Sequence, residues 1–151
     1  MQEVKKQYDL VIDNEKTVPV CEDGESRSVE VPLSITITDE DVDDILVSAF
    51  EGGINYWCNG VTILGNPVGD CASEHVSHGG DVLIHDGEEG KEYKLTKDDV
   101  IRGIIKYVMN PTSCDILENV NHKLVIDTGY VDADVADNII QYALFGEILY
   151  A

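Results

Sequence analysis

Two stretches of the chain follow the same local pattern, ITITDEDVDDILVSAF (residues 35–50) and YKLTKDDVIRGIIKYV (residues 93–108). Each runs a strand-like segment into a Thr, places an Asp three residues later, and continues with apolar residues at helical spacing. Thr38 with Asp41, and Thr96 with Asp99, resemble a capping box in which Asp replaces the usual Glu. The stripes that follow are Val42, Ile45, Leu46, Ala49 and Phe50 in the first copy, and Val100, Ile101, Ile104, Ile105 and Val108 in the second. Gly52-Gly53 stops the first helix and Asn110-Pro111 the second. The likeness fits a weak internal duplication, and it equally fits the generic chemistry of helix capping. Either way, strands that feed directly into helices restrict the chain to folds mixing both.

The remaining segments fill in that frame. Gln7–Asp13 alternates and predicts a strand; residues 14–27, with Pro19 and Gly24, predict a loop. Ser28–Thr38 predicts a strand whose Pro32 asks for an edge or a bulge. Asn55–Leu64 predicts another. Asp81–His85 and Lys91–Leu95 flank Asp86-Gly87-Glu88-Glu89-Gly90, a hairpin signature. Cys71–His78 is ambiguous. His122–Asp127 predicts a strand, and Ile148–Tyr150 a short last one. A third helix begins at Asp132 or Asp134, carries Val135, Ile139, Tyr142 and Ala143 on one face, and closes at Gly146. No helix-sized crossover separates most of the strands. The expectation is an α+β fold, an antiparallel or mixed sheet of about six strands packed with three helices. At 151 residues, one domain spanning residues 1–151 is the default.

The charge narrows the function. Between Ser28 and Gly90 there are thirteen acidic residues and no Lys or Arg, within a chain of net charge −20. This excludes a direct grip on nucleic-acid phosphates, which needs clustered bases. It also disfavours an anionic membrane surface. No run approaches the ~18 apolar residues of a membrane span. The first residues lack a signal-peptide core, and four scattered cysteines form no CxxC pair, so a cytosolic protein with reduced thiols is expected. One-signed charge steers association with basic partners.

Its densest part is Asp39, Glu40, Asp41, Asp43 and Asp44, at the start of the first helix. Six residues cover about 9 Å of helix axis. Duplex DNA carries about five charges in that length. Asp39, Glu40, Asp43 and Asp44 fall on the arc away from the apolar stripe, so this face could imitate a phosphate backbone to a basic groove. Acids also favour a helix N-terminus through its dipole, which accounts for Asp43 and Asp44 less well. A second candidate is Asn55-Tyr56-Trp57 after the double glycine. Tyr and Trp suit ligand stacking, with Asn55 reading a base edge; the same aromatics also suit an ordinary core. Arg102, Lys106 or a second subunit would then have to supply phosphate contacts.

Other constellations are weaker. Cys71, His75 and His78 could share a helix face as zinc ligands with Cys58 or His85, but C-x3-H-x2-H matches no standard zinc pattern. Glu74, His75 and His78 could do acid–base work, and Cys58 or Cys71 could pair with a His as a nucleophile, yet no local signature positions them. Gly129–Tyr142 resembles the second half of a dockerin calcium loop and its helix. That alignment puts Leu124, Ile126, Thr128 and Val135 at ligand positions, where they cannot supply carboxylates. There is no P-loop, GxGxxG or HExxH motif. The reading therefore assigns no catalytic residue, no metal and no cofactor.

ITDEDVDDILVSAFEGGINYWC, ASEHVSHGG and DADVADNIIQYALFGEI together resemble a family of small acidic proteins of phages and mobile elements in Firmicutes. The resemblance implies an accessory protein in the cytoplasm of a bacterial host, with no activity to carry over. The expected function is a non-enzymatic anti-defence protein that inhibits a host nuclease or other basic nucleic-acid-binding protein through a DNA-mimicking surface. The alternative is a sponge that sequesters a nucleotide immune signal at Asn55, Tyr56 and Trp57. An assembly role in a homo-oligomer, and a metal hydrolase built on His75 and His78, stand behind these two.

Overall fold

In a computed structural model of the chain, residues 3–4 and 26–151 are described. The elements in order are β1 (Glu3–Val4), β2 (Ile35–Thr36), α1 (Asp39–Ser48), β3 (Cys58–Leu64), α2 (Ala72–Ser77), β4 (Asp81–Asp86), β5 (Glu92–Leu95), α3 (Lys97–Met109), β6 (Leu117–Val120), β7 (Lys123–Ile126) and α4 (Ala133–Phe145). The fold is α+β, with the strands divided between two sheets and four α-helices where three were expected. One sheet is mixed, in the order β1-β2-β7-β6, with β2 and β7 parallel. The other is an antiparallel meander, β3-β4-β5. The predicted strand at Gln7–Asp13 lies outside the described residues.

Both capping boxes form. Thr38 Oγ1 accepts from the Asp41 amide at 3.0 Å while Asp41 accepts from the Thr38 amide at 2.9 Å. Thr96 and Asp99 do the same at 3.2 and 2.9 Å. Local donors that would be orphaned at each helix start are thus satisfied. The stripes then bury Val42, Ile45 and Leu46 from α1, and Val100, Ile101 and Ile104 from α3. One apolar cluster joins these to β2, β4 and α4.

Five features differ from the sequence reading, each for a physical reason. Leu33, Ile35 and Ile37 are buried in alternation, as a strand requires, but the strand itself is confined to Ile35–Thr36, with a single bridge at Leu33. The helical run does end at the double glycine, but α1 itself ends at Ser48. The helix widens into a π turn at Ala49–Gly53, and Gly53 sits so close to the Ala133 and Asp137 backbone of α4 that a side chain would collide. Strand β3 therefore starts at Cys58 rather than Asn55, leaving Tyr56 and Trp57 in a turn. Strand β6 was not anticipated. Its Glu118, Asn119 and Val120 are exposed, and Asn121 and His122 at φ 51° and 64° turn it into β7. Ile148–Tyr150 forms no strand; Gln141 Oε1 accepts from the Leu149 and Tyr150 amides, both at 2.8 Å, and pins that segment to α4.

The ambiguous Cys71–His78 segment is α2, and its role is structural. The Val68 amide donates to His75 Nδ1 at 3.0 Å, so Nδ1 is the acceptor nitrogen. The Nε2 hydrogen then faces the Leu64 and Asp81 carbonyls at 3.0 and 3.1 Å. The buried ring clamps the turn after β3 to the start of β4, against Gly80, whose missing side chain makes room for it.

Candidate functional site

The acidic start of α1 is not one uniform face. Asp41 is committed to its capping box. Asp39 pairs with Lys97 at the start of α3, and that ammonium holds the Asp39 carboxyl below its ordinary value. Asp44 accepts from the Thr128 hydroxyl at 3.0 Å. Asp43 is half-buried, with one carboxylate oxygen out of solvent and without a partner among the described residues. The expected outward arc of Asp39, Glu40, Asp43 and Asp44 is corrected at Asp43: Asp39, Glu40 and Asp44 are exposed, while Asp43, like the capping residue Asp41, is only partly so. Neighbouring elements do this, since α1 packs against α2 as well as the core.

Several cations elsewhere among the described residues have partners of their own. Lys91 pairs with Glu89 at 2.8 Å, Lys94 with Asp81 at 3.2 Å, and Arg102 with Asp99. Lys106 lies 5.9 Å from the centre of the Tyr142 ring. These pairs absorb part of the positive charge, and the excess acids on the surface remain uncompensated.

Asn55, Tyr56 and Trp57 do not form one ligand site. Asn55 lines a cavity of about 350 Å³ with Phe50, Cys58, Asn59, Gly60, Val61 and Ala72. Trp57 is 2% exposed and belongs to the core. It stacks on Tyr150 at 5.3 Å and 18°, and Phe145 tilts against it at 5.8 Å. No ligand can stack on that ring without displacing these partners. Tyr56 alone, 51% exposed, borders a second cavity of about 520 Å³. Neither Arg102 nor Lys106 lines it.

What joins Tyr56 to Trp57 is a residue the sequence did not single out. Asp137 on α4 is 5% exposed and accepts the Tyr56 hydroxyl at 2.7 Å, the Trp57 indole N–H at 2.8 Å and the Gln141 amide at 3.0 and 3.1 Å. Trp Nε1 and an amide nitrogen can only donate, so the arrangement suits an ionised carboxylate. Gln141 Nε2 also reaches the Tyr150 carbonyl at 2.9 Å, and the Tyr150 hydroxyl donates to Asp86 at 2.7 Å. The turn that carries Tyr56 and Trp57, α4, the final residues and the end of β4 thus share one polar chain. Burial would push Asp86 up. The Tyr150 hydroxyl, the Glu89 and Glu88 amides and the nearby Lys91 charge together hold it below the usual carboxylate range.

The network carries an alkaline signature. Burial, then the hydrogen bond and charge of Asp137, raise the Tyr56 phenol to about 12. The Asp86 hydrogen bond, then burial, raise Tyr150 as well. For an acid whose folded pKa is raised, the stabilisation is present below the unfolded value, near 10, and is lost as pH climbs through the folded one. Stability is therefore expected to fall between pH 10 and about 12. Spectrophotometric phenolate titration should show late-ionising tyrosines among the seven, and Tyr56→Phe should remove one of them. Simultaneous ionisation of all exposed and buried phenols in a still-folded protein would contradict the network.

The thiols and imidazoles do not assemble a reactive centre among the described residues. Burial, with the nearby Asp86 charge, pushes the Cys58 thiol up against the opposing backbone of Gly60 and His85, which disfavours the thiolate a nucleophile needs. Cys71 contacts Ser73, His78 Nδ1 contacts the Glu74 carbonyl, and His75 is spent on backbone. No group of three or more His, Cys, Asp or Glu among the described residues could hold a metal ion. Cys58, Cys71 and Cys114 are free thiols; Cys21 lies outside the described residues. No helix among the described residues is long and apolar enough to cross a membrane. Comparisons with protein-family models, curated proteins and solved structures find no match to the chain.

Proposed function

We propose that this chain is a non-enzymatic binding protein that engages a basic, nucleic-acid-binding host protein through its acidic surface and blocks that protein's groove. The observation that carries this reading is the one-signed charge: thirteen acids without a Lys or Arg across residues 28–90, and exposed Asp39, Glu40 and Asp44 near one end of α1. A surface like this accelerates encounter with a positive groove and repels nucleic acid itself. The resemblance to small acidic proteins of phages and mobile elements in Firmicutes gives the context, an anti-defence protein acting in the bacterial cytoplasm. The sponge reading is secondary. It retains Tyr56 and a cavity of suitable size, but lacks lining cations for phosphates.

Capture from host lysate, followed by challenge with duplex DNA and with salt, tests the proposal. Wild-type protein is expected to retain nucleic-acid-binding proteins that DNA displaces. Retention should collapse toward 1 M salt, where the screening length is about 3 Å. Combining Asp39→Lys, Glu40→Lys and Asp44→Lys should weaken capture at least about tenfold, because long-range attraction becomes repulsion. Equal capture by the triple variant, or capture indifferent to DNA, would defeat the reading.

A further inference from the structure

The cavity beside Tyr56 has a chemistry of its own. Its volume of about 520 Å³ lies between the start of α4, the Thr112–Ser113 loop and the last residues of the chain. Asp134 and Asp137 stand one helical turn apart on its α4 side, the first exposed and the second buried. None of the ion pairs among the described residues reaches either one. All three partners of Asp137 are neutral donors, so its charge is hydrogen-bonded but not neutralised. An ionised carboxylate kept from water without a counter-ion leaves a strong negative potential at the open side of its site.

The rest of the wall is mostly apolar, with Ile148 and Ala151 among its residues, and a few acceptors are set into it. The Tyr56 hydroxyl spends its hydrogen on Asp137 and accepts a long bond from Gln141 Nε2 at 3.4 Å, which leaves its oxygen one further lone pair. Asn138 donates its amide to Thr112, which leaves its side-chain carbonyl as an acceptor. The half-exposed Tyr56 ring adds a π face. Carboxylate, hydroxyl and amide oxygens beside an aromatic ring match a planar cation with several diverging N–H donors. A guanidinium has five such donors, stacks on aromatic faces and gives up water more readily than an ammonium.

We propose that this cavity receives an arginine side chain of the basic partner, with Asp134 forming the ion pair and Tyr56 stacking on the guanidinium. The inference rests on the basic-partner reading for the source of the arginine, while the guanidinium chemistry comes from the cavity itself. Where the acidic surface of α1 would supply attraction at a distance, this cavity would supply a fixed anchor.

The test needs no partner. Amide resonances of the wild-type protein are followed during titration with N-acetyl-arginine amide and, separately, with its neutral isostere N-acetyl-citrulline amide. Saturable shifts confined to residues 134–138, Tyr56 and the Thr112–Ser113 loop are expected at millimolar arginine derivative. Citrulline should bind about tenfold more weakly, since a charge-assisted bond is roughly twice as strong as a neutral one. Asp134→Asn should weaken the arginine derivative about five- to tenfold. Glu118→Gln, on exposed strand β6, should leave it unchanged. A flat titration, or equal binding of citrulline, overturns the arginine site while leaving the DNA-displaceable capture result to stand or fall separately.

Discussion

Asp137→Ala is expected to destabilise the protein by about 2–5 kcal/mol, the cost of orphaning buried donors that had a charged acceptor. Removing the carboxylate takes the acceptor from the Trp57 indole N–H, which is 2% exposed. Gln141 loses two of its acceptors, although the Tyr150 carbonyl remains. Tyr56 is half-exposed and can re-bond to water, so its share is the smallest. Asp137→Asn should fall between wild type and Ala, because an amide offers one acceptor oxygen and turns an N–H₂ toward donors. The measurement is urea unfolding followed by fluorescence of the single tryptophan, which lies inside the network. The midpoint should drop at unchanged m, since the surface exposed on unfolding is the same. Asp134→Ala, at an exposed site, should stay within about 0.5 kcal/mol of wild type. Equal effects of the two alanine variants would mean that Trp57 and Gln141 find other acceptors, and that the network is not a stabilising unit.

This network also marks the limit of what sequence could show. The capping boxes at Thr38 and Thr96 and the hairpin around Asp86–Gly90 were legible because donor, acceptor and turn lie within five residues of one another. The apolar stripes of α1 and α3 were legible because period alone decides which face is buried. Asp137 was not, since its partners Tyr56 and Trp57 lie some eighty positions away. The available signal was Asp137 and Gln141 at i and i+4 inside an apolar helix, a pair that needs a common polar partner. Helix α4 is moreover buried on more than the expected face, taking in Ala136, Ile140 and Gln141 besides Val135 and Ile139. The uneven exposure of the acids on α1 has a related reason. A helical wheel places Asp39 through Asp44 correctly about their own axis, and says nothing of Lys97, Thr128 or α2 arriving from elsewhere. Strand β6 was missed because Glu118 and Asn119 lie on an exposed edge, where burial imposes no alternation.

Gly103→Val is expected to be the second severe lesion, at about 3 kcal/mol, near the upper end of ordinary overpacking costs. Glycine inside a helix normally lowers stability by about 1 kcal/mol relative to alanine, so Gly103 in the middle of α3 has a positional reason. It lies where α3 meets α4. A β-carbon there would strike the Ile139 carbonyl oxygen and come within 2.9 Å of Ala143 Cβ and 3.0 Å of the Ala143 amide. Two of these three obstacles are helix backbone, which cannot rotate aside as a long side chain can. Accommodating valine requires α3 and α4 to separate, and α4 carries Asp137 and Gln141 into the polar network. Gly103→Ala should cost less than valine, because the gain in helix propensity offsets part of the clash. Gly52→Ala, with open space around its added carbon, serves as the control and should be near neutral. Thermal unfolding of the three variants orders them. A Gly103→Val protein as stable as Gly52→Ala would show that α3 and α4 are not in the close contact on which the position of Asp137 depends.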